Sequence, residues 1–325
     1  MASANARVPD FFIVGHPKCG TTAMYMMLRG HPQIFMPDNK EPRYFATDLR
    51  SRYYEQRMGS GQHFLHTLDG YLELFAPARA DQRAGEASAT YLISRAAAGA
   101  IAEVQPDARV IAILREPASF LRTFHLQMIS SGVETERDFG RALALEEHRR
   151  RGERVPEGAH RPEMLLYSDH VRYTEQLRRY HDAFAREQVL VLVFEEFKRD
   201  NDGTLAQVLR FLDVDDSYRP EAEVETPSVA AVRFAPLHAA TNRLRAARAA
   251  PTAAGPLARG ANALLSGPLR NGPLGSAWRR LVYTERGEVD ERLMAELRVR
   301  FKPEVEALGE YLGRDMVSLW RYDEL

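Results

Sequence analysis

The chain has 325 residues, 45% of them hydrophobic and 27% charged, with a formal net charge of −1. That supplies material for a sizeable buried core and too even a charge balance for a protein whose main partner is bulk nucleic acid or an anionic membrane. No apolar run approaches the roughly 18 residues of a membrane span, the opening MASANARVPD lacks a signal-peptide core, and the single cysteine, Cys19, excludes a disulfide framework or a cysteine-rich metal site, so a cytoplasmic location is expected.

The first element is the apolar run Phe11 to Val14, typical of a buried parallel strand, and a helix is expected from Thr21 onward. Between them, Gly15 and Gly20 keep the glycine spacing of the phosphate loop G-x-x-x-x-G-K-[ST], and Thr21 and Thr22 supply hydroxyls. The lysine, however, is Lys18, inside the loop, and Thr21 stands where a lysine would follow the second glycine. A strand-to-helix turn presents unpaired N–H groups and a positive dipole end to an anion. Lys18 and the threonines direct that general property toward phosphate or sulfate, while the missing lysine after Gly20 speaks against an ATP or GTP hydrolase. Cys19 reads as a small residue in a tight turn, since no base is paired with it in the sequence.

After a polar, aromatic stretch from Pro37 to Tyr71, the run RVIAILRE from Arg109 leads through Glu116-Pro117 into the helical pattern LRTFHLQM. A third run, QVLVLVFEEF, follows the amphipathic YTEQLRRYHDAF and precedes TLAQVLRFLDV. Strands alternating with helices indicate an α/β protein with a mostly parallel sheet, whose ligands bind beyond the carboxyl ends of the strands. The stretch EEHRRRGER, within Arg137 to His160, reads as a solvated helix end and loop. Residues of about 245–275, rich in Ala, Gly, Pro and Arg, read as a mobile surface segment, and VDERLMAELRVRFKPEVEALGEYLG, in a C-terminal helical part 288–325, as a helix pair interrupted at Pro303 and stopped by Gly313. With no internal repeat, 1–325 reads as one domain.

The segments GHPKCGTTAMYMMLRGHPQI, NKEPRYF, GEASATYL, VIAILREPASFLRTF and LVLVFEEFKRDNDGTLAQVLRFLDV, in that order, resemble the sulfotransferases that use 3′-phosphoadenosine 5′-phosphosulfate (PAPS). The likeness is to the bacterial relatives of the heparan sulfate O-sulfotransferases in particular, and it extends weakly to LRVRFKPEVEALGEYLGRDMVSLW. It implies a P-loop NTPase-like fold, a three-layer arrangement of a parallel sheet flanked by helices. It also implies sulfuryl transfer from PAPS to a hydroxyl of a small or medium-sized acceptor, releasing 3′-phosphoadenosine 5′-phosphate (PAP), with no metal required.

By the same resemblance, Lys18 touches the phosphosulfate, with Pro17, Cys19, Gly20, Thr21 and Thr22 completing the loop around it. Arg115 and Thr123 hold the 3′-phosphate, Ser119 being a weaker substitute for Thr123. Glu41 in NKEPRYF is the base, with Lys40 beside it, and His16 and His125 rank behind it. Where the heparan-type enzymes often carry a lysine after the glutamate of GEASATYL, this chain has Ala87, which argues against a sulfated polysaccharide acceptor. Glu86 either lines the site or pairs with a loop N–H, and Tyr91, Tyr44, Phe45, Tyr53 and Tyr54 are candidates for an apolar acceptor wall and equally for plain core. The family's basic loop near the nucleotide is not placed by motif, and Arg233, Arg270 and Arg279 are the candidates.

The alanine- and arginine-rich composition suggests a high-GC bacterial source, with a secondary metabolite, a glycolipid, a sugar or an aromatic alcohol as acceptor. Two other classes stay open: a kinase-like phosphoryl transferase, which needs Mg²⁺ and a lysine after Gly20, and a non-catalytic nucleotide-binding protein of the same fold.

Overall fold

A computed structural model of the chain describes residues 7–49, 67–220, 231–232, 283–284 and 290–325. Its centre is a parallel sheet of five strands: β1 Phe11–Gly15, β2 Ile34–Phe35, β3 Arg83–Ala87, β4 Arg109–Leu114 and β5 Val189–Val193, ordered β2-β3-β1-β4-β5. Phe11 to Val14 and Val110 to Leu114 are wholly buried, as strands covered by helices on both faces must be. A two-residue antiparallel ribbon, β6 Ala231–Val232 with β7 Tyr283–Thr284, stands apart from this sheet.

The helices are α1 Thr21–Arg29, α2 Leu68–Leu72, α3 Ala97–Val104, α4 Pro117–Ser131, α5 Phe139–Ala144, α6 Glu146–Arg150, α7 Tyr173–Ala183, α8 Phe194–Arg199, α9 Asn201–Phe211, α10 Glu291–Leu312 and α11 Met316–Leu319. No described helix is long and apolar enough to cross a membrane. From β1 the chain turns toward β2 and β3, and from β4 toward β5, so the crevice at the switch point opens where β1 and β4 end.

Three expectations from the sequence need amendment. β3 was not legible as a strand because RAGEA has no β-branched residue; Gly85 is nonetheless required there, since it pairs in register with Phe11, whose ring lies 2.1 Å from where a Cβ would stand. The C-terminal pattern is one continuous helix, α10, rather than a pair broken at Pro303. Pro303 and Val299, four residues before it, are both exposed, so the carbonyl that loses its N–H partner can be hydrated, while Met294, Leu297, Phe301, Val305 and Leu308 bury a single stripe. Gly313, at φ 64°, ends the helix as expected. Finally, EEHRRRGER is not simply solvated: Glu146 is buried, and Arg149 Nη1 lies 2.7 Å from Glu134 Oε2 with both side chains inaccessible. The expected mobile segment at 245–275, together with Tyr53, Tyr54, Arg233, Arg270 and Arg279, lies outside the described residues.

Candidate active site

The loop that leaves β1 is shaped by its backbone. Lys18 sits at φ 72° and Gly20 at φ 89°, the left-handed region that a lysine seldom occupies and that costs about 1–3 kcal/mol for a residue bearing a Cβ. Left-handed turns of this kind gather successive amides on one side, an arrangement suited to anions. Gly20 is also sterically fixed, because a Cβ there would meet the rings of Phe194 and Phe197 at 3.2 Å. Gly20 has no side chain with which to cap α1, so the first amides of that helix are left to the loop and to whatever anion it receives.

Side chains of the loop divide between core and crevice. Pro17 and Lys18 are half-buried and Thr22 is exposed, whereas Thr21 is 3% exposed and Cys19 is fully buried. Burial pushes the Cys19 thiol up to about 12, which removes it as a nucleophile and leaves only its backbone to the loop. His16 lies under the loop, packed against Phe120, His170 and Tyr173. Its Nε2 donates to Gln176 Oε1 at 2.9 Å, an orientation set by Gln176 Nε2, which donates to the carbonyls of Asp169 and His170. Burial lowers His16 to about 4. His125 is likewise interior, stacked on Phe139, with Nε2 donating to the Glu136 carbonyl at 2.8 Å. Both ring Nε2 atoms are thus spent on partners within the protein.

Arg115 follows β4 and its side chain meets this loop directly. Its Nη1 donates to the Lys18 carbonyl at 2.9 Å, its Nη2 donates to Ser119 Oγ at 2.8 Å, and its guanidinium lies 4.7 Å over the Phe194 ring. The sequence ranked Thr123 above Ser119. The structure sets Ser119 against Arg115, while the Thr123 hydroxyl, one turn further, donates to the Ser119 carbonyl at 2.8 Å and is 6% exposed. Arg115 is 8% exposed, its Nε is buried with no hydrogen-bond partner, and it makes no ion pair among the described residues.

Glu41 belongs to a segment that rests on the end of β3. The Glu41 amide donates to the Ala87 carbonyl at 3.0 Å, the Arg43 amide to Ser88 Oγ at 3.0 Å, and the Phe45 amide to Tyr91 Oη at 3.2 Å. Glu41 and Arg43 both adopt left-handed backbone, at φ 62° and 55°. Lys40 Nζ lies 2.9 Å from Glu41 Oε1, and Arg43 Nη2 contacts the other oxygen. Burial pushes the Glu41 carboxyl up, but Arg43 and Lys40 outweigh it and hold the group at about 2. Beneath this segment, Glu86 Oε2 accepts from Tyr71 Oη at 2.7 Å and Tyr91 Oη at 3.1 Å, and burial raises it to about 7. Tyr91, Phe45 and Glu86 are therefore core, and of the suggested acceptor wall only Tyr44, stacked on Tyr71, is partly open among the described residues.

The ends of three adjacent strands, β3, β1 and β4, thus bring together Glu41, Lys18 and Arg115. Sequence reasoning missed Phe194 and Tyr173, whose Oη donates to the Arg115 carbonyl at 2.8 Å; neither carries a local motif. Among the described residues, no group of three or more His, Cys, Asp or Glu side chains is arranged to hold a metal ion.

Comparison with known proteins bears on the family and the fold. A crystal structure of a sulfotransferase from Alicyclobacillus acidocaldarius superposes with a TM-score of 0.65 at 26% identity, covering 97% of this chain and 99% of that one. Mouse carbohydrate sulfotransferase 15 is 29% identical over 164 residues, 40% of this chain and 29% of that protein. Human bifunctional heparan sulfate N-deacetylase/N-sulfotransferase 3 is 30% identical over 115 residues, 34% of this chain and 12% of that protein. The chain thus spans less than a third of the length of these curated relatives. Residues 9–218, which carry Lys18, Glu41 and Arg115, match the model of the Sulfotransferase family, and the chain belongs to that family.

Proposed function

We propose that the protein transfers a sulfuryl group from PAPS to a hydroxyl of a small or medium-sized acceptor. The observation that carries this reading is Arg115: a buried guanidinium, joined to the Lys18 carbonyl, with an orphaned Nε and no carboxylate partner among the described residues. A cation buried in that manner costs free energy unless an anion completes it, and the resemblance to PAPS-dependent sulfotransferases supports the 3′-phosphate of PAPS as that anion. Ser119, and Thr123 one turn on, supply hydroxyls beside it.

When bound, PAPS supplies the sulfuryl group and a phosphate leaving group. Lys18 offers a cation to the charge that grows as the S–O bond breaks, and Gly20, Thr21 and Thr22 add amide and hydroxyl donors, so these groups act more strongly in the transition state than before it. Glu41 is the proton acceptor. Held at about 2 by Arg43 and Lys40, it is fully ionised at neutral pH, and it takes the proton as the acceptor hydroxyl becomes acidic during attack.

Calorimetry without metal on the wild type and on Arg115→Ala, with PAP and ADP, tests the reading. ADP carries two phosphates but none at the 3′ position. Tight PAP binding, weak ADP binding and loss of the difference in Arg115→Ala are expected, the loss being about 10- to 100-fold in PAP affinity. Equal affinity for the two nucleotides in the wild type would overturn the donor assignment, and a preference for ADP that needs Mg²⁺ would favour a kinase-like phosphoryl transferase.

A further inference from the structure

The C-terminal residues reach back to the site from outside the part of the chain that the family model matches, which ends at residue 218. Met316–Leu319 forms α11, and the two residues with large polar rings beyond it, Trp320 and Tyr322, are 3% and 0% exposed. Both spend their single ring donor on a carboxylate next to Arg115. Tyr322 Oη donates to Glu116 Oε1 at 2.7 Å, and Trp320 Nε1 donates to Glu195 Oε2 at 3.0 Å.

By their places in the chain those carboxylates are rivals for the Arg115 charge, and Glu195 feels it. Glu116 follows Arg115 in the chain, and Glu195 follows Phe194, on whose ring the Arg115 guanidinium lies. Left to themselves, an arginine and a glutamate in so dry a place would pair, since a bidentate guanidinium–carboxylate contact is among the stronger polar contacts. They do not pair here. Glu116 is turned toward α4, where its two oxygens accept from the Ala118 amide at 3.0 Å and the Ser119 amide at 2.7 Å, with Tyr322 on Oε1 and Arg298 at 3.9 Å from the same oxygen. Glu195 is occupied by Trp320 on one oxygen and by the Glu116 amide, at 3.3 Å, on the other.

We infer that Trp320 and Tyr322 are positioning residues for the donor site: by occupying Glu195 and Glu116 they keep Arg115 directed at Ser119 and the Lys18 carbonyl, and so available to the 3′-phosphate. The inference rests on the PAPS reading above. Plain core packing would require only the rings, whereas this role requires the hydroxyl and the indole N–H.

The experiment is PAP and ADP calorimetry on the full chain, with thermal unfolding, for wild type, Tyr322→Phe, Trp320→Phe, the double variant, and Tyr322→Phe combined with Glu116→Gln. We expect the PAP-over-ADP affinity ratio to fall about tenfold in the double variant while ADP affinity stays within about twofold of wild type. Glu116→Gln should restore most of the ratio lost in Tyr322→Phe, because an amide cannot compete for Arg115 as an anion. An unchanged ratio overturns the inference, as does a parallel fall in PAP and ADP affinity or a failure of Glu116→Gln to rescue. If the double variant does not fold, Tyr322→Phe alone, which keeps the ring, decides on the same ratio. A wild type that does not prefer PAP defeats the donor reading itself, whereas a wild-type preference untouched in the variants defeats only the role of the C-terminal pair.

Discussion

Glu41 and Glu86 meet at the same corner of the fold, one in the segment resting on β3 and the other within β3, yet their carboxyls titrate far apart. Glu41 has two cations, Lys40 and Arg43, and is held at about 2 against the opposing effect of burial. Glu86 has neutral hydroxyls beside it, those of Ser88, Tyr71 and Tyr91, and burial outweighs them and raises it to about 7. Charge state here follows the partners each group finds rather than residue type or depth, and two carboxyls with environments pushed apart in this way divide into different roles. Glu41 is an ionised group at the mouth. Glu86 is a buried strut: Tyr91, which donates to it, also accepts the Phe45 amide of the segment that carries Glu41.

The largest expected effect lies across the crevice from this pair and sets the scale for it. Lys18→Ala should lower turnover about 10³-fold, the range seen when one preorganised transition-state donor is removed, with PAP affinity and melting temperature changed far less. Wild-type turnover in that variant would refute the role of the loop. Glu41→Gln should cost about 10²-fold in kcat with PAP affinity retained. If kcat is unaffected, Glu41 is a structural ion-pair member and not the base, and the two glutamates differ only in their surroundings.

The remaining effect concerns stability rather than turnover and has a definite sign. Because the Glu86 carboxyl is raised from 4.5 to about 7, the folded protein keeps a proton that the unfolded chain has released, so this group makes stability fall as pH rises from about 4.5 to 7, then level off. Glu86→Gln should remove that slope, gaining up to ~3 kcal/mol relative to wild type above about pH 7. Glu41 works in the opposite sense: its depressed carboxyl contributes stability that is fully present above 4.5 and is lost as pH falls toward about 2. Urea unfolding at about pH 5 and pH 8 measures the first effect, and a slope that persists in Glu86→Gln would show that another group produces it.

Much of the fold was legible because burial on both faces of a parallel sheet leaves apolar runs, and β1, β4 and β5 each show one. The loop was legible because two glycines, a lysine and two threonines fall within eight residues, Gly15 to Thr22. β3 was not, since its fitness as a strand depends on the Phe11 ring lying over Gly85 from the neighbouring strand. Pro303 misled for a related reason: a proline ends a helix in isolation, but an exposed proline opposite a buried stripe is tolerated.

The sequence by itself determined the alternation of strands and helices and the glycine-bounded loop that carries Lys18, because these are written in local spacing and residue type, while Glu41 and Arg115 were singled out by the resemblance to the sulfotransferases. Only the tertiary structure decided that His16 and His125 are buried with Nε2 bonded to the protein, that Ser119 rather than Thr123 meets Arg115, that Glu41 is clamped by Arg43 and Lys40, and that Trp320 and Tyr322 lie against Glu195 and Glu116. Some of those join distant groups, 206 positions apart for Glu116 and Tyr322, and others join near neighbours, such as Lys40 and Arg43 on Glu41, whose side chains meet only in the folded backbone and in the dryness its packing creates. A charge or a hydroxyl acquires its role from the dielectric and the partners around it, and those exist only once the chain has folded.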